Sequence, residues 1–254
     1  QKKTGLKNRP FGWKISGRSV VGLKHETYGI QCQDYVRYFQ SDQLTVITLA
    51  DGASSSNYAA LGAKNSCNLI IDFFIKNTVS SFNQKSELKQ LLISRIQNDL
   101  SQRAGEKNTD IYELSSTLLF VALYKNQFIA GHIGDGVIGM SKNNQLQVLS
   151  KPENDEFANV TYFTSSRNLQ KHLRIRHGTI SQTDQVGFIL MSDGAAKSFY
   201  NKPSEKFSSG VDKLFNWMTK YDKSRMNELI SENLESVIRH NTSDDCSVLI
   251  AIRT

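Results

Sequence analysis

Leu44-Thr45-Val46-Ile47-Thr48-Leu49-Ala50-Asp51-Gly52 is the stretch that decides how this chain is built. Apolar and β-branched residues run without a break into Asp51-Gly52, which reads as a strand delivering a carboxylate at its end. The same pattern recurs in Ile133-Gly134-Asp135-Gly136 and in Met191-Ser192-Asp193-Gly194. A single Asp-Gly pair is the favoured turn of a two-residue β-hairpin. Three of them, each behind an apolar run, point instead to carboxylates gathered at strand ends. Asp34 in Gln31-Cys32-Gln33-Asp34 and Asp244 in Ser243-Asp244-Asp245-Cys246 flank apolar runs as well. Aspartates in such repeated settings would make a site for a hard cation.

Outward from this strand, residues 35–39 form its expected partner across a polar turn, and residues 13–23 read as an extended segment. Apolar residues at helical spacing predict an amphipathic helix over 57–75. A second helix is expected over 86–100, with Ser86 as its cap and Leu88, Leu91, Leu92 and Ile96 as its apolar face. Strands are expected at 114–124, 127–133 and 137–140, joined as a meander. Residues 151–183 are less regular and read as an excursion from the sheet. A buried strand at 186–191, helices at 211–219 and 226–240, and a last strand at 247–252 complete the pattern. Strands and paired helices without strict alternation predict an α/β layered protein with mainly antiparallel sheets.

The chain has 254 residues, enough for one large domain with a sizeable core. We expect a basic N-terminal tail over 1–12, holding Lys2, Lys3, Lys7 and Arg9, and a single domain over 13–254. The composition, 39% hydrophobic and 22% charged, excludes a disordered chain. No apolar stretch approaches the roughly 20 residues that cross a bilayer, and the polar N-terminus has no signal-peptide core. Cys32, Cys67 and Cys246 are odd in number and widely spaced, which disfavours a disulfide framework or zinc knuckle and predicts a cytoplasmic protein. The net charge of +7 admits an anionic partner without choosing one. Lys171, Arg174, Arg176 and His177 crowd one segment, best read as an exposed strand with alternating basic residues, so nucleic-acid binding is disfavoured. His132, inside an apolar run, reads as a packed residue, and Phe73, Phe74 and Phe82 as core.

Clustered carboxylates oppose folding unless a cation neutralises them. Mg²⁺ and Mn²⁺ suit oxygen ligands and keep bound water, and Gly52 lets a backbone carbonyl approach the same ion. Zinc is disfavoured because no histidine pair has the required spacing. With these residues in hand, the chain resembles the metal-dependent serine/threonine protein phosphatases of the PPM, or PP2C, family from about residue 15 to 252. The resemblance rests on Gln33-Asp34, Ala50-Asp51-Gly52-Ala53-Ser54, Leu61-Gly62-Ala63, Ser115-Ser116-Thr117-Leu118, Gly134-Asp135-Gly136, Met191-Ser192-Asp193-Gly194 and Asp244-Asp245-Cys246-Ser247-Val248. Gly22 with His25, Cys32-Gln33-Asp34, and the stretch from Phe157-Ala158-Asn159 to Phe163-Thr164-Ser165 are more similar to a bacterial-type branch.

The resemblance implies a four-layer α-β-β-α sandwich with two mainly antiparallel sheets and a binuclear Mn²⁺ or Mg²⁺ centre. By motif, Asp51 would bridge both ions, Asp34 and the Gly52 carbonyl would serve one, and Asp193 and Asp244 the other. Asp135 would belong to an accessory third position shared with Asp193. Asp51 and Asp193 would thereby hold the water that attacks phosphoserine or phosphothreonine in a protein, and a cognate Ser/Thr kinase is the implied partner. Asp245 reads as a neighbour of the ligand Asp244. The family's histidine after Asp-Gly is Ala53 here, so the proton donor is unassigned. Of Arg18, Lys24 and His25, His25 is taken as the contact to substrate phosphate. The competing expectation is a catalytically silent relative that binds phosphoproteins as a regulator. Nothing in the sequence fixes an oligomeric state.

Overall fold

The computed structural model describes residues 12–153 and 161–253; the expected tail, but for residue 12, and the Phe157-Ala158-Asn159 motif lie outside them. The elements are, in order, β1 (Trp13–Val20), α1 (Leu23–Thr27), β2 (Asp34–Gln40), β3 (Leu44–Asp51), α2 (Ala59–Asn83), α3 (Lys85–Lys107), β4 (Leu118–Tyr124), β5 (Gln127–Ile133), β6 (Val137–Lys142) and β7 (Gln145–Ser150). There follow α4 (Leu169–His172), β8 (Arg174–Thr179), β9 (Val186–Met191), α5 (Asp193–Phe199), the two-residue strands β10 (Tyr200–Asn201) and β11 (Lys206–Phe207), α6 (Ser209–Lys220), α7 (Lys223–Ser236) and β12 (Cys246–Arg253). Two five-stranded antiparallel sheets result, β2-β3-β4-β5-β8 and β1-β12-β9-β6-β7.

The unbroken apolar runs have a direct cause: each central strand is covered on both faces. Side chains alternate along a strand, so Val46, Phe120, Ala122 and Ile129 face a cluster with Ile70, Phe74, Leu92 and Ile96 of α2 and α3. Their neighbours Ile47, Leu49, Leu119 and Val121 face Phe188, Leu190, Leu249 and Ala251 of the other sheet. Ile189, Met191, Val248 and Ile250 then turn outward onto Leu214, Met226, Ile230 and Leu234 of α6 and α7. The layers are thus helix, sheet, sheet, helix, as expected. Phe74 and Phe82 are fully buried and Phe73 nearly so, and His132 is buried with Nδ1 2.8 Å from Ser150 Oγ.

Several boundaries and one connection differ from expectation. Residues 21–23 leave the first extended segment and lead into α1. The strand expected from 114 starts at Leu118, because Ile111–Leu114 coil into a 3-10 turn capped by the Asp110 side chain. Ser86 lies inside α3 rather than capping it, and Leu91 is exposed while Ile93 takes its place in the core. The helix expected over 226–240 stops at Ser236. The meander fails after β5: β6 pairs with β9 and β7 in the opposite sheet. Gly134 adopts φ +105, a backbone that favours glycine, and carries the chain from one sheet to the other. Gly134-Asp135-Gly136 is therefore a crossing, and Asp135 stands between the sheets rather than at a hairpin tip. β7 and β8 are edge strands; in β8 the adjacent Arg176 and His177 are both exposed, whereas Arg174 is half-buried and paired with Glu153, so the expected alternation of exposed basic residues is not kept.

Candidate metal centre

Strand register brings the carboxylates together. Asp34, first residue of β2, pairs with Asp51, last residue of β3. In the other sheet Val137 and Val248 both pair with Met191, so Asp135, Asp193 and Asp244, each a few residues beyond these positions, gather at the same end. Asp51, Gly52, Asp135, Asp193 and Asp244 line one cleft, with His25 on its wall.

The small residues around Asp51 have local work. The Asp51 amide donates to Thr117 Oγ1 at 2.9 Å and its carbonyl accepts from the Thr117 amide at 2.8 Å. Ser116 Oγ lies 2.8 Å from Ser66 Oγ, and Ser115 Oγ lies 2.6 Å from Ser165 Oγ, so Ser115-Ser116-Thr117 ties β3 to α2 and to the segment after 161. At Gly52 a Cβ would collide with the Ala59 carbonyl, so only glycine lets α2 start this close to the cleft.

Neither carboxylate oxygen of buried Asp34 has a hydrogen-bond partner, nor does Oδ1 of Asp193. Burial, with Asp245 and Asp193 close by and only partly offset by the Ser247 and Ser192 hydroxyls, pushes Asp34 up to about 7. Burial, then the charges of Asp34, Asp193 and Asp135, raises Asp51 well above the usual carboxylate range. Burial and Asp135 raise Asp193. Such a set is unfavourable when ionised, and a divalent cation would reverse that penalty. The donors are carboxylates and a carbonyl, which fits Mg²⁺ or Mn²⁺. Among the described residues no three His, Cys, Asp or Glu side chains form a shell by themselves, so water must complete the coordination of any ion held here.

Asp245 is more than a neighbour. It is buried, and its Oδ1 accepts from the Gly22 amide at 2.6 Å while its Oδ2 accepts from the Gln33 amide at 2.6 Å. Its Oδ1 also lies 3.0 Å from His25 Nδ1. One carboxylate thus anchors both ends of the 22–33 loop and orients His25 towards a fixed place. Of the three basic candidates, Arg18 lies in a separate groove and Lys24 is exposed, while His25 lines the cleft.

Lys197, which sequence reasoning missed, also enters the site. Its Nζ lies 2.6 Å from Asp244 Oδ2, 3.0 Å from Thr242 Oγ1 and 3.5 Å from Asp193 Oδ2. Burial opposes its charge, but the hydrogen bond to Asp244 and the charges of Asp193 and Asp244 outweigh it and raise its pKa. The signal was its position four residues after Asp193, one helical turn along the same face. Asp135 Oδ2 accepts from Thr161 Oγ1 at 2.6 Å on the adjoining wall.

Comparison with known proteins identifies the family. The family pattern described as Protein phosphatase 2C matches residues 21–235. The chain belongs to that family, and is by class a protein serine/threonine phosphatase. Serine/threonine-protein phosphatase 3 of Escherichia coli (strain K12) is 22% identical over 254 aligned residues, covering 95% of this chain and 99% of that protein. The S. agalactiae serine/threonine phosphatase superposes with a TM-score of 0.65 at 15% identity, over 94% of this chain and 99% of that one. The catalytic domain of serine threonine protein phosphatase PstP, solved with two manganese ions, gives a TM-score of 0.61 at 14% identity, over 96% of this chain and 99% of that domain.

Proposed function

We propose that residues 13–254 act as one catalytic unit that hydrolyses phosphoserine and phosphothreonine in proteins with two Mn²⁺ or Mg²⁺ ions. The observation that carries this reading is the Asp34–Asp51 pair, in which Asp34 is buried with no hydrogen-bond partner on either oxygen and its charge opposes that of Asp51. Asp51 would bridge both ions, Asp34 and the Gly52 carbonyl would hold one, and Asp193 and Asp244 the other, with Asp135 on the accessory side. Cations bound there lower the pKa of water and stabilise charge in an in-line phosphoryl transfer. His25, oriented by Asp245, contacts the substrate phosphate from the cleft wall. The three unpaired cysteines support a cytoplasmic setting opposite a Ser/Thr kinase, and no helix among the described residues is long and apolar enough to cross a membrane.

Ala53, which supplies no proton donor at the cleft, favours a second reading in which the chain binds phosphoproteins without cleaving them. Phosphate release from a phosphothreonine peptide separates the two. We expect release with Mn²⁺ and its abolition by excess EDTA. Undiminished turnover in EDTA would overturn the metal mechanism, and tight peptide binding without release would favour the regulator.

A further inference from the structure

Lys197 is placed where an additional cation would be needed. An exposed pair four residues apart on a helix is ordinarily a weak surface contact. Here the partners come from two separate segments, the start of α5 and the 242–244 turn: the ammonium donates to Asp244 and Thr242 and forms an ion pair with Asp193. Two of those oxygens belong to Asp193 and Asp244, the carboxylates assigned above to the second ion. The same ammonium lines a cavity of about 500 Å³ together with Asp135, Thr161 and Asp193, the side of the cleft on which the accessory position falls.

Charge balance gives this placement a consequence. Asp34, Asp51, Asp135, Asp193 and Asp244, all ionised, carry five negative charges. Asp245 stands apart, since its oxygens are taken by two backbone amides and His25. Two divalent ions supply four positive charges, and Lys197 supplies the fifth. A third divalent ion would leave the cluster with a net positive charge of two and would sit against an ammonium already bound to one of its ligands.

We propose that the Lys197 ammonium, held against Asp193 and Asp244, supplies the charge that a third divalent ion would bring, so that the chain binds two ions and no third. This inference rests on the two-ion reading above. It makes that charge independent of metal concentration.

Mn²⁺ stoichiometry tests it, measured by equilibrium dialysis with elemental analysis and by EPR titration of free Mn²⁺. Wild type and Lys197→Arg should saturate at two ions per chain. Lys197→Met and Lys197→Asp should take up a third at concentrations where wild type does not. In EDTA, Lys197→Met should melt below wild type and Lys197→Arg close to it, because the charge is then the cluster's own counterion. Three ions in wild type, or two in every variant, would overturn the proposal while leaving the two-ion centre standing. Wild type that binds no Mn²⁺ would overturn the metal centre itself. A wild-type count of three overturns the proposal even if a variant fails to fold, and Lys197→Met and Lys197→Asp each supply the comparison if the other does not fold.

Discussion

Asp34 and Asp51 face each other on adjacent strands, Asp34 buried and Asp51 opening onto the cleft, with burial and neighbouring carboxylates raising both. Asp193 and Asp244 stand on a helix start and a turn, with side chains 24% and 44% exposed and Lys197 between them. The first pair is positioned by backbone hydrogen bonds that no side chain can relax. The second is positioned by side chains that can reorient, and it brings its own positive charge. Rigid placement therefore coincides with electrostatic conflict, and adaptable placement with compensation.

The sharpest way to break this comparison is Asp51→Asn, which on the proposed assignment removes the charge shared by both ions. Turnover of a phosphothreonine peptide should fall by about three orders of magnitude, the scale seen when a principal charge-stabilising group is lost. Asp135→Asn should leave two Mn²⁺ bound and lower turnover by about tenfold, since Asp135 serves only the accessory side. The reverse ranking, with the ion pair lost in Asp135→Asn and full activity in Asp51→Asn, would show the roles to be misassigned.

A smaller effect concerns stability without metal. Asp34 and Asp51 titrate above their unfolded value of 3.8, Asp34 at about 7. The folded chain then holds protons that the unfolded chain has released, so stability falls as pH rises from about 4 to 7. Melting in EDTA should drop by several degrees more across this window for wild type than for Asp34→Asn, which lacks one titrating group. Mn²⁺ should stabilise wild type more at pH 7 than at pH 5. Parallel melting curves for the two proteins would remove Asp34 from the conflict.

Much of the arrangement was legible in the sequence because doubly covered strands need unbroken apolar runs. Residues 44–50, 186–191 and 247–252 each announced a central strand, and the aspartates beyond them announced the cleft. Sheet membership was not legible at Gly134-Asp135-Gly136, since glycine serves a hairpin and a crossing equally well. β7 was missed because its burial is shallow and its residues alternate with polar ones. Lys197 was missed because Asp244, the partner that gives it meaning, is 47 residues away. Asp245 was undervalued for the same reason: the amides it binds lie more than 200 residues earlier.

β12 follows every other element in the chain yet lies between β1 and β9 in its sheet. During synthesis that sheet must wait with its middle open, and β1 has no neighbour within it until residues 246–253 emerge. Asp244 and Asp245 travel with this strand, so the ligand proposed for the second ion and the anchor of the 22–33 loop arrive together with it. A nascent chain can therefore bury Asp34 and Asp51 early but cannot assemble the complete cleft before its final strand threads into place. Long-range closure of this kind is slow compared with local helix formation. Assembly of the cleft is in this way timed to the arrival of β12.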